Sequence, residues 1–102
     1  MDLHLENATV LVTGSSAGIG KATALAFAAE GARVVVTYHK NRQGAEDVQR
    51  AITDTGRQAL VVHYDLADPD SIRESIEAVT KEWGTLNVLV NNAAPKIGRA
   101  HV

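Results

Sequence analysis

Short apolar runs and longer amphipathic runs alternate along this chain. TVLV (9–12), RVVV (33–36), ALVV (59–62) and LNVLV (86–90) are short, β-branched and apolar on both faces. That is the pattern of strands buried within a parallel sheet rather than lying half in water. Between them lie three segments of helical length. The first, 18–30, is alanine-rich, with Ile19, Ala22, Ala26 and Ala29 at helical spacing and Gly31 just beyond, where a left-handed cap is wanted. The second, 42–55, carries Ala45, Val48 and Ile52 on one stripe and is closed by Gly56. Asp68-Pro69 opens the third, pairing an N-cap with proline at the first helical position. Ile72, Ile76, Val79 and Trp83 then recur at steps of four, three and four before Gly84.

The predicted order is β-α-β-α-β-α-β, an α/β chain. Right-handed crossovers would then place helices on both faces of a parallel, doubly wound sheet. No internal repeat, linker or low-complexity stretch interrupts it. Composition narrows the class further. A net charge of −2 gives no basic footprint for nucleic acid. No apolar run approaches a membrane span, and MDLHLEN at the start lacks the basic and apolar regions of a signal peptide, so a cytoplasmic location is expected. Without cysteine there are neither disulfides nor thiolate zinc sites, and His4, His39, His63 and His101 have no metal-ligand spacing. The charges at Glu46-Asp47-Arg50 and Arg73-Glu74-Glu77-Lys81 read as solvated helix faces, and Trp83 as a core anchor at a helix end.

The chemistry is concentrated in TGSSAGIG (13–20), between the first strand and the first helix. Gly14, Gly18 and Gly20 permit a tight turn, close approach of a ligand and close helix–strand packing. The loop ends at a helix N-terminus, whose unpaired N–H groups and positive dipole end favour a pyrophosphate. Ser15 and Ser16 are expected to add hydroxyl donors. A glycine triplet alone is weak evidence, but one that follows a strand and opens a helix within a β-α-β unit points to a dinucleotide.

The spacing resembles the T-G-x-x-x-G-I-G fingerprint of the short-chain dehydrogenase/reductase (SDR) family. Asp65-Leu66 after the third strand and Asn91-Asn92-Ala93-Ala94 after the fourth stand where that family has its adenine-binding aspartate and its N-N-A-G, with Ala94 in place of glycine. The resemblance spans roughly residues 5 to 95. It implies a Rossmann-type fold, here partial, with strand order 3-2-1-4. It also implies hydride transfer between a nicotinamide and a carbonyl or alcohol carbon, and a parent that is a homo-oligomer. On this resemblance Gly14, Ser15, Ser16, Gly18, Ile19 and Gly20 wrap the pyrophosphate. Asp65 and Leu66 hold the adenine, and Asn91 to Ala94 line the ribose and nicotinamide side.

Cofactor choice is read at the end of the second strand, where an acid accepts from the ribose 2′-OH of NAD and repels a 2′-phosphate. Here the stretch is Thr37-Tyr38-His39-Lys40-Asn41-Arg42, with no carboxylate before Glu46. His39, Lys40 and Arg42, beside Tyr38, are candidates to meet a phosphate, so NADP(H) is expected over NAD(H). The family's general acid/base is a tyrosine with a lysine four residues later. Tyr38 is followed at that distance by Arg42, and Tyr64 by Asp68, so no catalytic residue carries over.

Residues 1–95 therefore read as the N-terminal part of an NAD(P)-binding Rossmann domain. The tail differs in character. Ile-Gly-Arg-Ala-His-Val and a stop can be written ATC GGA AGA GCA CAC GTC TGA, which looks like one frame of a common short-read sequencing adapter. Residues 96–102 are accordingly expected to be a non-native tail from adapter read-through. The competing reading is a short, non-catalytic nucleotide-binding or regulatory module. A sugar-nucleotide epimerase is disfavoured, because its T-G-x-x-G-x-x-G spacing does not match TGSSAGIG.

Overall fold

The structure, a computed structural model, describes residues 5–92. Ala93 and Ala94, expected in the site, and the tail 96–102 lie outside the described residues. The elements run β1 (Thr9–Val12), α1 (Gly18–Ala29), β2 (Arg33–Tyr38), α2 (Arg42–Thr53), β3 (Ala59–His63), α3 (Pro69–Trp83) and β4 (Val88–Val90). All four strands are parallel, in the order β3-β2-β1-β4. The predicted α/β alternation and strand order are both observed.

Because successive strand residues point to opposite faces, the alternating valines divide between two cores. Val10, Val12, Val34 and Val36 pack under Ala24 and Ala28 of α1 and Ala45, Val48 and Ile52 of α2. Leu11, Val35 and Val62 face Val79 of α3, with Ile76, Trp83 and Leu86 at the margin. Trp83 is partly buried, and the Arg33 guanidinium lies 5.4 Å from its ring centroid while donating to Thr9 Oγ1 at 2.8 Å.

Three details depart from the sequence reading. The buried stripe of α1 is Gly20, Ala24 and Ala28, whereas Ile19, Ala22, Ala26 and Ala29 lie exposed. Small residues at steps of four let the helix sit close on the sheet, and an alanine-rich segment has too little polarity contrast to reveal its own phase. On α3 the buried positions include Ser71 and Ser75 besides Val79. The fourth strand is shorter than LNVLV. At Asn87 the side-chain Oδ1 accepts from the Thr9 N–H at 2.8 Å, and the Asn87 N–H donates to the Thr9 carbonyl at 2.9 Å. That pair of bonds fixes the register before regular pairing begins at Val10↔Val88. β4 is the outer strand of the described sheet, and its Leu89 is 53% exposed, so burial on both faces does not extend to it.

Candidate functional site

Parallel strands deliver every strand-to-helix loop to the carboxyl edge of the sheet. The chain winds outward from β1 to β3 and then crosses to β4 on the other side of β1. The gap between the ends of β1 and β4 is thus a topological switch point, the place where open α/β sheets take ligands. Residues 13–17, 39–41, 64–68 and 91–92 all meet along this edge.

A buried belt of hydroxyls shapes the edge. Thr13, Ser15 and Thr37 are each 0 to 1% exposed. The Val12 carbonyl accepts from Ser15 Oγ at 2.7 Å and from Thr37 Oγ1 at 2.9 Å, while the Thr37 N–H donates to Ser15 Oγ at 2.8 Å. Thr13 Oγ1 accepts from the Asn92 N–H at 2.7 Å and reaches Asn91 Oδ1 at 3.3 Å. The Ser15 hydroxyl is turned into the protein and joins the glycine loop to β2. Ser16 is half-buried.

The glycines have distinct reasons. Gly18 has φ +62°, and nothing lies within 4 Å of a Cβ placed there, so its constraint is backbone conformation alone. At Gly20 a Cβ would stand 2.0 Å from the Gly14 carbonyl oxygen and 2.8 Å from Asn92 Nδ2. That position is closed to any side chain while the loop keeps this path.

The three helices begin differently. Asn41 Oδ1 accepts from the Gly44 N–H at the start of α2, and Asp68 Oδ1 accepts from the Asp70 N–H at the start of α3, each at 3.0 Å. Ala17, the N-cap of α1, is extended (φ −163°, ψ 167°) and supplies no side-chain acceptor, and the first turn of α1 holds no acid. Among the described residues no side chain caps the N–H groups at this end of α1, the positive end of the helix dipole. Ile19 stands exposed beside them.

Around the ends of β2 and β3 the predicted residues separate. Tyr38 belongs to β2 rather than the loop; it packs against the α1/α2 core and sets its ring edge-on to His63 at 5.3 Å. Arg42 is tied to Glu46 at 3.1 Å on the exposed face of α2. Lys40 is exposed, with no ion pair among the described residues. His39 Nε2 lies 3.2 Å from Asp65 Oδ2, joining two residues expected to serve different parts of the ligand. Asp65 Oδ1 accepts from the Ala67 N–H at 2.9 Å, and the Asp65 N–H donates to Ser71 Oγ at 3.0 Å. Leu66 is half-buried next to it.

Sequence reasoning missed Thr13, Thr37 and Ser71, the residues that hold the site from beneath. Their signal was a hydroxyl at the end of a strand or in the first turn of a helix, where apolar patterning assigns no partner.

Residues 8–101 match the profile of the short chain dehydrogenase family. Over 89 residues, 87% of this chain, it is 44% identical to an uncharacterized oxidoreductase of Methylorubrum extorquens and 39% identical to glucose 1-dehydrogenase 2 of Bacillus subtilis. Those alignments cover 36% and 34% of the respective relatives, so the chain spans about a third of the length of the curated relatives it matches. Among solved structures, a short chain dehydrogenase from Burkholderia cenocepacia in complex with NADP superposes with a TM-score of 0.85 at 42% identity, covering 95% of this chain and 39% of that one. Acetoin dehydrogenase from Enterobacter cloacae gives a TM-score of 0.80 at 40% identity, covering 87% of this chain and 35% of that one.

Proposed function

Because this chain belongs to the short chain dehydrogenase family, we propose that it is the N-terminal, dinucleotide-binding part of an oxidoreductase that prefers NADP(H) to NAD(H). The single observation that carries the binding reading is the uncapped N-terminus of α1, presented at the switch point by a loop that excludes side chains at Gly20. Gly14, Ser15, Ser16, Gly18, Ile19 and Gly20 wrap the pyrophosphate. Asp65 and Leu66 take the adenine, and Asn91, Asn92, Ala93 and Ala94 take the ribose and nicotinamide side. Bound there, the nicotinamide gives or accepts a hydride in the reduction of a carbonyl or oxidation of an alcohol.

The NADP(H) preference is supported by the exposed Lys40 and His39 beyond β2, and by the absence of a carboxylate in that stretch before Glu46, which is itself engaged by Arg42. The related Burkholderia cenocepacia structure holds NADP, in keeping with this choice. Titrating NADPH and NADH against the complete protein tests it. NADPH should bind about tenfold tighter, the scale of one charge-assisted contact; equal or tighter binding of NADH would sink the preference. Neither Tyr38 nor Tyr64 has a lysine four residues on, so residues 1–102 alone are expected to turn over no carbonyl or alcohol substrate. Turnover by residues 1–102 alone, purified free of other reductases, would overturn that part of the reading.

A further inference from the structure

We propose that Gly44 is a positioning residue for the pyrophosphate loop: carrying no side chain, it lets α2 bear on the Ser16 carbonyl and hold the loop in its path. The inference rests on the nucleotide-binding reading above and adds a residue from outside the glycine motif. Gly44 is the third residue of α2, and conformation does not explain its presence there. It is not among the positive-φ residues, and its N–H donates to Asn41 Oδ1, a bond open to any residue but proline. Glycine inside a helix is less stable than alanine, because it loses more backbone freedom on folding. What remains is the need for room. A Cβ at Gly44 would stand 2.6 Å from the Ser16 carbonyl oxygen and would also meet the Asn41 side-chain amide.

These two obstacles differ in kind. The Asn41 amide ends a side chain and can turn aside, whereas the Ser16 oxygen belongs to the backbone of the glycine loop. The helix cannot withdraw instead, because Ala45 and Val48, the next turn of α2, are buried in the core beneath it. A side chain at position 44 therefore moves the loop.

Ser16 is the point at which such a movement matters. Its carbonyl and the Ala17 N–H form one planar peptide group, which leads straight into the extended N-cap at Ala17. Turning that group re-aims the first N–H groups of α1, on which pyrophosphate binding depends. On either side the loop is already fixed. Ser15 Oγ is bonded to the Val12 carbonyl and the Thr37 N–H, and Gly20 lies tight against the Gly14 carbonyl. Between these anchors no hydrogen bond holds the Ser16 carbonyl among the described residues. Contact with Gly44 is what limits it.

The test is calorimetric titration of the complete protein with NADPH and with NADH, for wild type, Gly44→Ala, Gly44→Ala combined with Asn41→Ser, and Gln43→Ala. Asn41→Ser removes the amide that the new methyl group would meet and keeps an oxygen acceptor at the cap. Gln43, exposed and bonded to Asp47, is the control from the adjoining helix position. Gly44→Ala should weaken both dinucleotides about tenfold and by the same factor, the scale of one charge-assisted hydrogen bond to their shared pyrophosphate. The double variant should show the same loss, and Gln43→Ala should stay within about twofold of wild type. Thermal midpoints without nucleotide separate positioning from plain destabilisation: a purely structural role lowers the midpoint and leaves the affinity of the folded protein unchanged. Wild-type affinity in Gly44→Ala, recovery in the double variant, or a loss confined to one dinucleotide overturns the inference while the nucleotide reading stands. Should Gly44→Ala not fold, the wild type carries the test: its Gly44 amide and α-proton resonances should shift on saturation with either dinucleotide, and unmoved resonances overturn the inference. A wild type that binds neither dinucleotide removes the nucleotide reading and this inference together.

Discussion

Two strand-to-helix turns leave the same edge of the sheet on opposite plans. After β3, the turn satisfies itself: the Asp68 N–H donates to the Asp65 carbonyl, Asp68 caps α3, Pro69 removes an N–H that would have had no partner, and Ser71 secures Asp65. After β1, the turn directs its hydroxyls downward to β2 and the end of β4, and among the described residues no side chain caps the start of α1. A closed turn contributes stability and fixes one side chain, Asp65, where it is useful. An open turn gives up about 1 kcal/mol of capping energy and, on the reading proposed above, leaves its N–H groups for an anion. The difference is chemical, not topological, since both turns follow parallel strands and precede helices.

Substitutions can break this contrast, beginning with the largest effect. Gly20→Ala should destabilise the complete protein by at least about 2 kcal/mol and abolish nucleotide binding, because the new methyl group meets the Gly14 carbonyl. Urea unfolding with a parallel nucleotide titration checks both. Ser15→Ala strands the buried Thr37 N–H and should cost about 1–3 kcal/mol. If Ser15 instead served the ligand directly, affinity would fall with stability unchanged, and the same pair of measurements separates the two.

Two further changes sharpen the contrast by exchanging the plans. Asp68→Ala removes the α3 cap and should lower stability by about 1 kcal/mol with nucleotide affinity intact. Ala17→Asp installs the missing cap on α1, whose N-cap backbone is already extended. It should raise the stability of the ligand-free protein by about 0.5 kcal/mol while weakening nucleotide binding severalfold. Stability and affinity moving in opposite directions is the result to look for by thermal denaturation with and without nucleotide. If they move together, α1 is not kept open for a ligand.

How far the sequence disclosed this arrangement depended on contrast. Where β-branched runs stood against polar helices, as in RVVV and ALVV, strand positions and order emerged from pattern and from the family resemblance. Helix α2, with Ala45, Val48 and Ile52 against a charged face, showed its buried side directly. In α1 the signal vanished, because glycine and alanine occupy both faces. The glycine loop was legible as a motif, yet the inward turn of Ser15 was not: a hydroxyl serves a carbonyl or a phosphate equally well, and only the position of Thr37 decides. The same holds for His39 and Asp65, 26 positions apart in the chain and adjacent only once β2 and β3 align.

Thr13 joins partners 77 to 79 residues away, the ends of β1 and β4. In kinetic terms this is a high-contact-order closure, formed only after long-range loop entropy has been overcome. β1 and β2, joined by α1, can pair while Asn91 and Asn92 are still unplaced. During synthesis the glycine loop emerges early, but the contacts of Thr13 to Asn91 and Asn92 form only after residue 92 has cleared the ribosome. On the proposed nucleotide-binding reading, capture is then expected to follow completion of the sheet.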